Sequence, residues 1–185
     1  MPFGGPVSRT EVLSALSLAV DLGLGQPMDH MLRSAAIGTR LAERLGLSES
    51  ERATAFYTGL VMWIGCHADS HEYARWFGDD IAMRHDSHFI DWSGASYRRF
   101  LLSNLGRGSK LPKRVQLVAK VFLDARGSVG ALVQSHCLSA ALLADEIGLG
   151  AEVCEALPYA YERWDGSGLP TGAAGSQIPV PMRVA

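Results

Sequence analysis

The densest group of potential ligands in this 185-residue sequence is His67, Asp69, His71 and Glu72. On a helix, His67 and His71 lie one turn apart on a shared face, where two imidazoles and a carboxylate can hold a transition metal. The competing account is a solvated helix start just past Gly65, with Asp69 or Ser70 as its cap. A literal His-Asp doublet stands at His85-Asp86, inside Arg84-His85-Asp86-Ser87-His88. No apolar helix leads into it, so it reads as a polar loop or helix surface.

His30 and His136 are further candidate ligands. Two neutral imidazoles without a third donor make a weak metal site, and a buried histidine bonded to a backbone carbonyl is the commoner arrangement. Glu162 and Asp165 flank a Gly-rich segment running to Gly175. Backbone amides there can recognise phosphate, but no strand precedes the segment and no long helix follows, so the two acids are expected to brace a structural loop. Arg107, Lys110, Lys113 and Arg114 gather positive charge that either steers an anionic nucleotide or partner, or is solvated. Trp76-Phe77 and the stretch Phe89 to Trp92 form either a dimer surface or core.

These groups must be positioned by helices. Apolar residues from Val12 to Val20 predict an amphipathic first helix. Met28, Met31, Leu32, Ala35, Ala42 and Leu45 keep helical spacing over Pro27–Leu45, which Gly46 stops. Ser48 with Glu51 predicts a capping box opening a helix that runs to about Cys66. Its end, Leu60 to Ile64, is apolar all round, as a central helix must be. Shorter helices follow from Ser70 to Leu105, with Asp79-Asp80 and Ser93-Gly94 as boundaries. Pro112 suits the first turn of a helix carrying Val115, Val118, Val121 and Phe122. A further helix from about Val129 to Ile147 places Val133, His136, Ala140, Ala144 and Ile147 on one face, and Gly148 ends it. A short helix over Glu152–Tyr161 precedes a Gly- and Pro-rich remainder. The phrases Leu41 to Leu47 and Leu143 to Leu149 look alike, but shared helix-ending chemistry explains them without a duplication. With no strand pattern anywhere, the class is all-α.

With 48% hydrophobic and 19% charged residues, the chain supports one sizeable core, so residues 1–185 are expected to form a single domain. A net charge of -2 supplies no overall basic field, which argues against direct nucleic-acid contact. Cys66, Cys137 and Cys154 are odd in number, widely spaced and without a CxxC pair, consistent with reduced thiols in the cytoplasm. The Val12–Val20 stretch lacks the basic start of a signal peptide, and nothing approaches the roughly 20 apolar residues of a membrane span.

Three features in order resemble the HD superfamily and, within it, the HD-GYP proteins. They are His30-Met31-Leu32-Arg33 on a helix ending Leu-Gly-Leu, an apolar helix ending Ile64-Gly65, and Glu162-Arg163-Trp164-Asp165-Gly166-Ser167-Gly168-Leu169-Pro170. The third is the most specific: Leu169 replaces the family's tyrosine, and Ile178-Pro179 and Arg183 follow in register. The resemblance implies an HD-domain-like helical bundle in which histidines and aspartates surround metal ions that activate water against a cyclic dinucleotide phosphodiester. It also implies what this chain has changed. His30 and His136 match family histidines, but the His-Asp doublet is Met62-Trp63 and the histidine pair before Glu162 is Ala160-Tyr161. A bridging carboxylate is therefore missing.

The residual family-site positions are His30, Met62, Trp63, His136, Tyr161, Glu162 and Asp165, with no catalytic residue among them. Met62 and Trp63 either fill the vacated volume or line an apolar pocket for an organic effector. The expectation is a catalytically degenerate HD-GYP-like regulatory domain, sensing a small-molecule or nucleotide effector or mediating homodimerisation. It is expected within a longer bacterial signalling or transcription-regulator protein, truncated at its C-terminal end and followed by a further C-terminal domain, without membrane contact. No cofactor and no metal are expected. The alternative is a metal-dependent phosphohydrolase or phosphodiesterase acting on cyclic di-GMP or another nucleotide. It would use iron, manganese or zinc held by His30, His136, His67, Asp69 and His71. A third possibility is a purely structural interaction module.

Overall fold

The structure, a computed structural model, describes residues 6–87, 89–90 and 94–185. Of the residues singled out above, His88, Trp92 and Ser93 lie outside that set, as does the side chain of Phe122. Helix α1, Arg9–Gly23, starts on Ser8, whose hydroxyl accepts the Glu11 amide while the Glu11 carboxylate accepts the Ser8 amide. It turns Leu13, Ser17, Val20 and Asp21 inward. Helix α2, His30–Arg44, buries Met31, Ala35, Gly38 and Ala42. Asp29 at its N-cap is left-handed and donates no side-chain cap. Asp21 supplies one from α1, its Oδ2 accepting the Met31 amide at 3.2 Å.

Helix α3, Glu49–Val61, opens on the Ser48–Glu51 capping box. It stops short of Cys66, because the chain tightens into a 3-10 segment over Ile64–His67. The tightening belongs to a close approach: a Cβ on Gly65 would sit 2.2 Å from the His136 carbonyl oxygen, so only glycine lets this segment lie against the long helix behind it.

Helices α4 (Ser70–Phe77), α5 (Asp80–Ser87), α6 (Gly94–Asn104) and α7 (Leu111–Leu123) enclose their own cluster of Phe77, Met83, Phe100, Leu105 and Val121. Helix α8, Ala125–Glu146, begins one turn earlier than the sequence pattern predicts. The expected helix to Tyr161 is a shorter α9, Ala151–Ala156, passing into a 3-10 turn at Leu157–Tyr159 where Pro158 intervenes. After a second 3-10 turn at Gly175–Gln177, the chain ends in α10, Val180–Val184, which sequence periodicity does not reveal in so short a piece.

The main core joins Leu13 of α1, Ala35 of α2, Leu60 and Val61 of α3, Ala140 and Ala144 of α8, Val153 of α9 and Leu157. Helix α10 lies against α2 and α3. Helices α2 and α8 end alike: Gly46 and Gly148 are left-handed, and the Leu47 and Leu149 amides reach back to the Ala42 and Ala144 carbonyls at 3.0 and 2.9 Å. That is a Schellman ending at both places, which accounts for the two similar phrases. No strand occurs among the described residues, and the fold is all-α. Among the described residues no helix is long and apolar enough to cross a membrane.

Candidate functional site

The 3-10 segment after α3, the middle of α8 and the start of the C-terminal tail converge on His136, which is 1% exposed. Its Nε2 lies 2.8 Å from the Met62 carbonyl and donates to it, which leaves Nδ1 facing Asp69 Oδ2 at 3.4 Å. Asp69 is itself 3% exposed. At that distance the two form an ion pair rather than a well-aligned hydrogen bond. Burial opposes a charged imidazole, but the Asp69 carboxylate, the Cys66 side chain and the Met62 carbonyl outweigh it, raising the His136 pKa to about 9. His136 is thus held as an imidazolium at neutral pH.

Aromatic rings close this site. Trp63 and Tyr161 stand edge-on to each other at 5.7 Å between centroids, and to His136 at 6.2 and 5.1 Å. Tyr161 meets His136 through its ring. Desolvation, with nearby cysteine and tyrosine groups, drives its hydroxyl well above the usual phenol range.

A second buried cation stands alongside. Arg84 of α5, 8% exposed, lies over the Tyr73 ring at 3.9 Å and donates through Nη2 to the Cys66 carbonyl at 3.0 Å. The hydroxyl of Ser70 donates to the same carbonyl at 3.2 Å. Sequence reasoning places Arg84 in a polar loop or helix surface. The available signal was Met83 and Ser87, one turn apart on the buried face of α5 with Arg84 beside them. His85 and Asp86 do face outward, 3.3 Å apart.

The 67–72 group is divided rather than gathered. His67 ends the 3-10 segment, α4 starts only at Ser70, and both His67 and His71 are exposed while Asp69 turns inward. Neither capping nor a shared helical face joins them: Asp69 makes no side-chain cap to α4. His30 starts α2 beside the fully buried Asp21. Burial raises the Asp21 pKa against the pull of the Met31 amide and of His30.

In the tail, Glu162 Oε1 accepts the Thr171 amide and hydroxyl, both at 2.7 Å, and the Gly172 amide at 3.1 Å. Asp165 Oδ1 accepts the Ser167 amide and hydroxyl, which lower its pKa. Gly168 packs so closely on the Glu162-Arg163 backbone that a Cβ would come within 2.4 Å of it. The positive group splits as well. Arg114 clasps the end of α6 through the Leu102 and Ser103 carbonyls, each at 3.1 Å, while Lys110 and Lys113 are exposed. Trp76 packs against the second cluster and Phe89 is exposed.

A family model described as an HD domain matches residues 101–184. That match covers less than half of the chain and, with the relative described next, supports an HD-superfamily domain. Within that superfamily, the chain is similar to the 3'3'-cGAMP-specific phosphodiesterase 3 of Vibrio cholerae, 26% identical over 177 residues. That alignment takes in 95% of this chain and 38% of the relative. A crystal structure of a cyclic GMP-AMP specific phosphodiesterase of V. cholerae shares the fold, with a TM-score of 0.58 and 24% identity over 94% of this chain and 38% of that one.

The kinship corrects one expectation. A chain similar to HD-superfamily phosphodiesterases, whose hydrolysis the resemblance ties to metal ions, no longer supports an expectation that no cofactor is involved. Such an ion needs several donors converging on one point. Among the described residues no three histidine, cysteine, aspartate or glutamate side chains gather closely enough to hold one ion. Asp69 and His136 are spent on each other, and the doublet position offers an indole and a thioether. The described side chains alone do not fit the family's multi-ion centre.

Proposed function

We propose that this chain is a phosphohydrolase-superfamily domain of a cyclic-dinucleotide phosphodiesterase, engaging a nucleotide phosphodiester near His136. The supporting observation is the likeness to the 3'3'-cGAMP-specific phosphodiesterase over 95% of the chain. The chain spans only 38% of that relative's length. A bound cation would supply Lewis acidity and an activated water; since the described side chains do not complete its ligand set, no step is assigned through it. What this chain contributes is a buried imidazolium, a buried guanidinium and tyrosine hydroxyls, donors that orient and neutralise a phosphodiester.

The test is hydrolysis of 3'3'-cGAMP and cyclic di-GMP by protein purified without chelators, with iron, manganese and zinc added in turn. Turnover that EDTA abolishes supports the proposal. A second reading rests on one observation, the rings of Trp63 and Tyr161 packed where family ligands would stand. It is a regulatory domain that binds an effector or homodimerises, joined to a further C-terminal domain. Binding of a dinucleotide without turnover under every metal favours it.

A further inference from the structure

The charges around Cys66 do not balance. Arg84 donates to the Cys66 carbonyl, and the Cys66 side chain neighbours the His136 imidazole. Two basic side chains, both more than nine-tenths buried, therefore meet at one residue. The buried carboxylate between these elements is Asp69, and it faces His136. Among the described residues no carboxylate comes within ion-pair distance of Arg84. Its Nε is buried without a hydrogen-bond partner, and so is Nδ1 of His136 by strict geometry. Glu162, next to Tyr161 in the chain, gives Oε1 to the tail amides and holds Oε2 buried without a hydrogen-bond partner; it makes no ion pair with Arg84.

A buried guanidinium without a counterion is expensive. The Tyr73 ring beneath it recovers part of that cost through cation–π attraction, but a ring face cannot accept the Nε–H in line. Around the pair stand phenol hydroxyls that sense the same charge: Arg84 acts electrostatically on both Tyr73 and Tyr161, and Tyr97 lies near Tyr73. Guanidinium, imidazolium and neutral hydroxyls are the donor types that recognise phosphoryl oxygens. Burial raises the pKa of Tyr73 and Tyr161, which keeps their hydroxyls protonated as donors.

We propose that Arg84, His136, Tyr73 and Tyr161 form an anion site for a phosphoryl group. The phosphodiester as its natural occupant rests on the function proposed above; the site itself does not. Asp69 then acts as a built-in competitor, holding His136 until the anion arrives.

The experiment titrates the full chain with inorganic phosphate, with chloride at matched ionic strength, and with 3'3'-cGAMP, reading thermal midpoint and calorimetric affinity. Phosphate is expected to raise the midpoint where chloride does not. Arg84→Met is expected to weaken phosphate at least tenfold, with Arg84→Lys intermediate. Equal binding by wild type and Arg84→Met, or no midpoint shift with phosphate, overturns the site. Should Arg84→Met not fold, the wild-type arginine Nε resonances decide: a shift with phosphate and none with chloride upholds the site, and no shift overturns it. Tighter binding of 3'3'-cGAMP than of phosphate identifies a phosphodiester occupant, and the reverse identifies free phosphate. Phosphate binding without turnover under any metal sinks the enzyme reading and leaves the site standing. Turnover with KM unchanged in Arg84→Met does the opposite.

Discussion

The His136 site and the tail loop from Glu162 to Gly175 use the same kinds of residue to opposite ends. In the tail, Glu162 Oε1 and Asp165 Oδ1 accept amides and hydroxyls within ten residues of chain, while Glu162 Oε2 is buried without a hydrogen-bond partner. Around His136, every partner arrives from another segment: Met62 and Asp69 lie more than sixty positions away, and Tyr161 follows from beyond α9. Local bonding makes a loop that tolerates change one residue at a time. Buried long-range pairing makes a site whose members depend on each other, since removing one strands its partner's charge.

The sharpest way to break this contrast is His136→Ala, which leaves Asp69 buried and unpaired. A loss of about 3–5 kcal/mol is expected in chemical denaturation; a loss near that of an ordinary surface substitution would show the pair to be dispensable. A pH series comes next. Because the His136 pKa is raised to about 9 from an unfolded value near 6.5, its contribution is full below about pH 6.5 and disappears as pH rises through 9. Stability should fall across that window by an amount on the order of 3 kcal/mol, and the fall should be absent in His136→Phe. Gly65→Ala should cost about 1–3 kcal/mol, as the new methyl forces the 3-10 segment away from α8. Asp165→Asn should have the smallest effect: an unchanged denaturation midpoint, with faster hydrogen exchange at the Ser167 amide as its trace.

What could be read beforehand follows the same division. Helix ends at Ser48, Gly46 and Gly148 were legible because capping and Schellman chemistry are local in sequence, and the all-α class follows from them and from periodicity. The tail motif was legible because it is contiguous. Arg84 was not, since a charged residue in an eight-residue helix reads as surface unless its neighbours' burial is known. Asp69 was seen but grouped with His67 and His71, because a run of ligand types suggests one helix; the break at Ala68-Asp69 sends Asp69 inward alone. Asp21 was missed because it caps α2 from another helix, nine residues before that helix starts.

The bond from His136 ends on the carbonyl of Met62, a group that every amino acid at that position would possess. The anchor therefore does not depend on which side chain position 62 carries, although Met62 itself packs against the main core. Position 63 has no such freedom, because its indole itself faces His136 and Tyr161. A carboxylate introduced at 63 would therefore have to replace the volume of a tryptophan and its edge contacts with both rings.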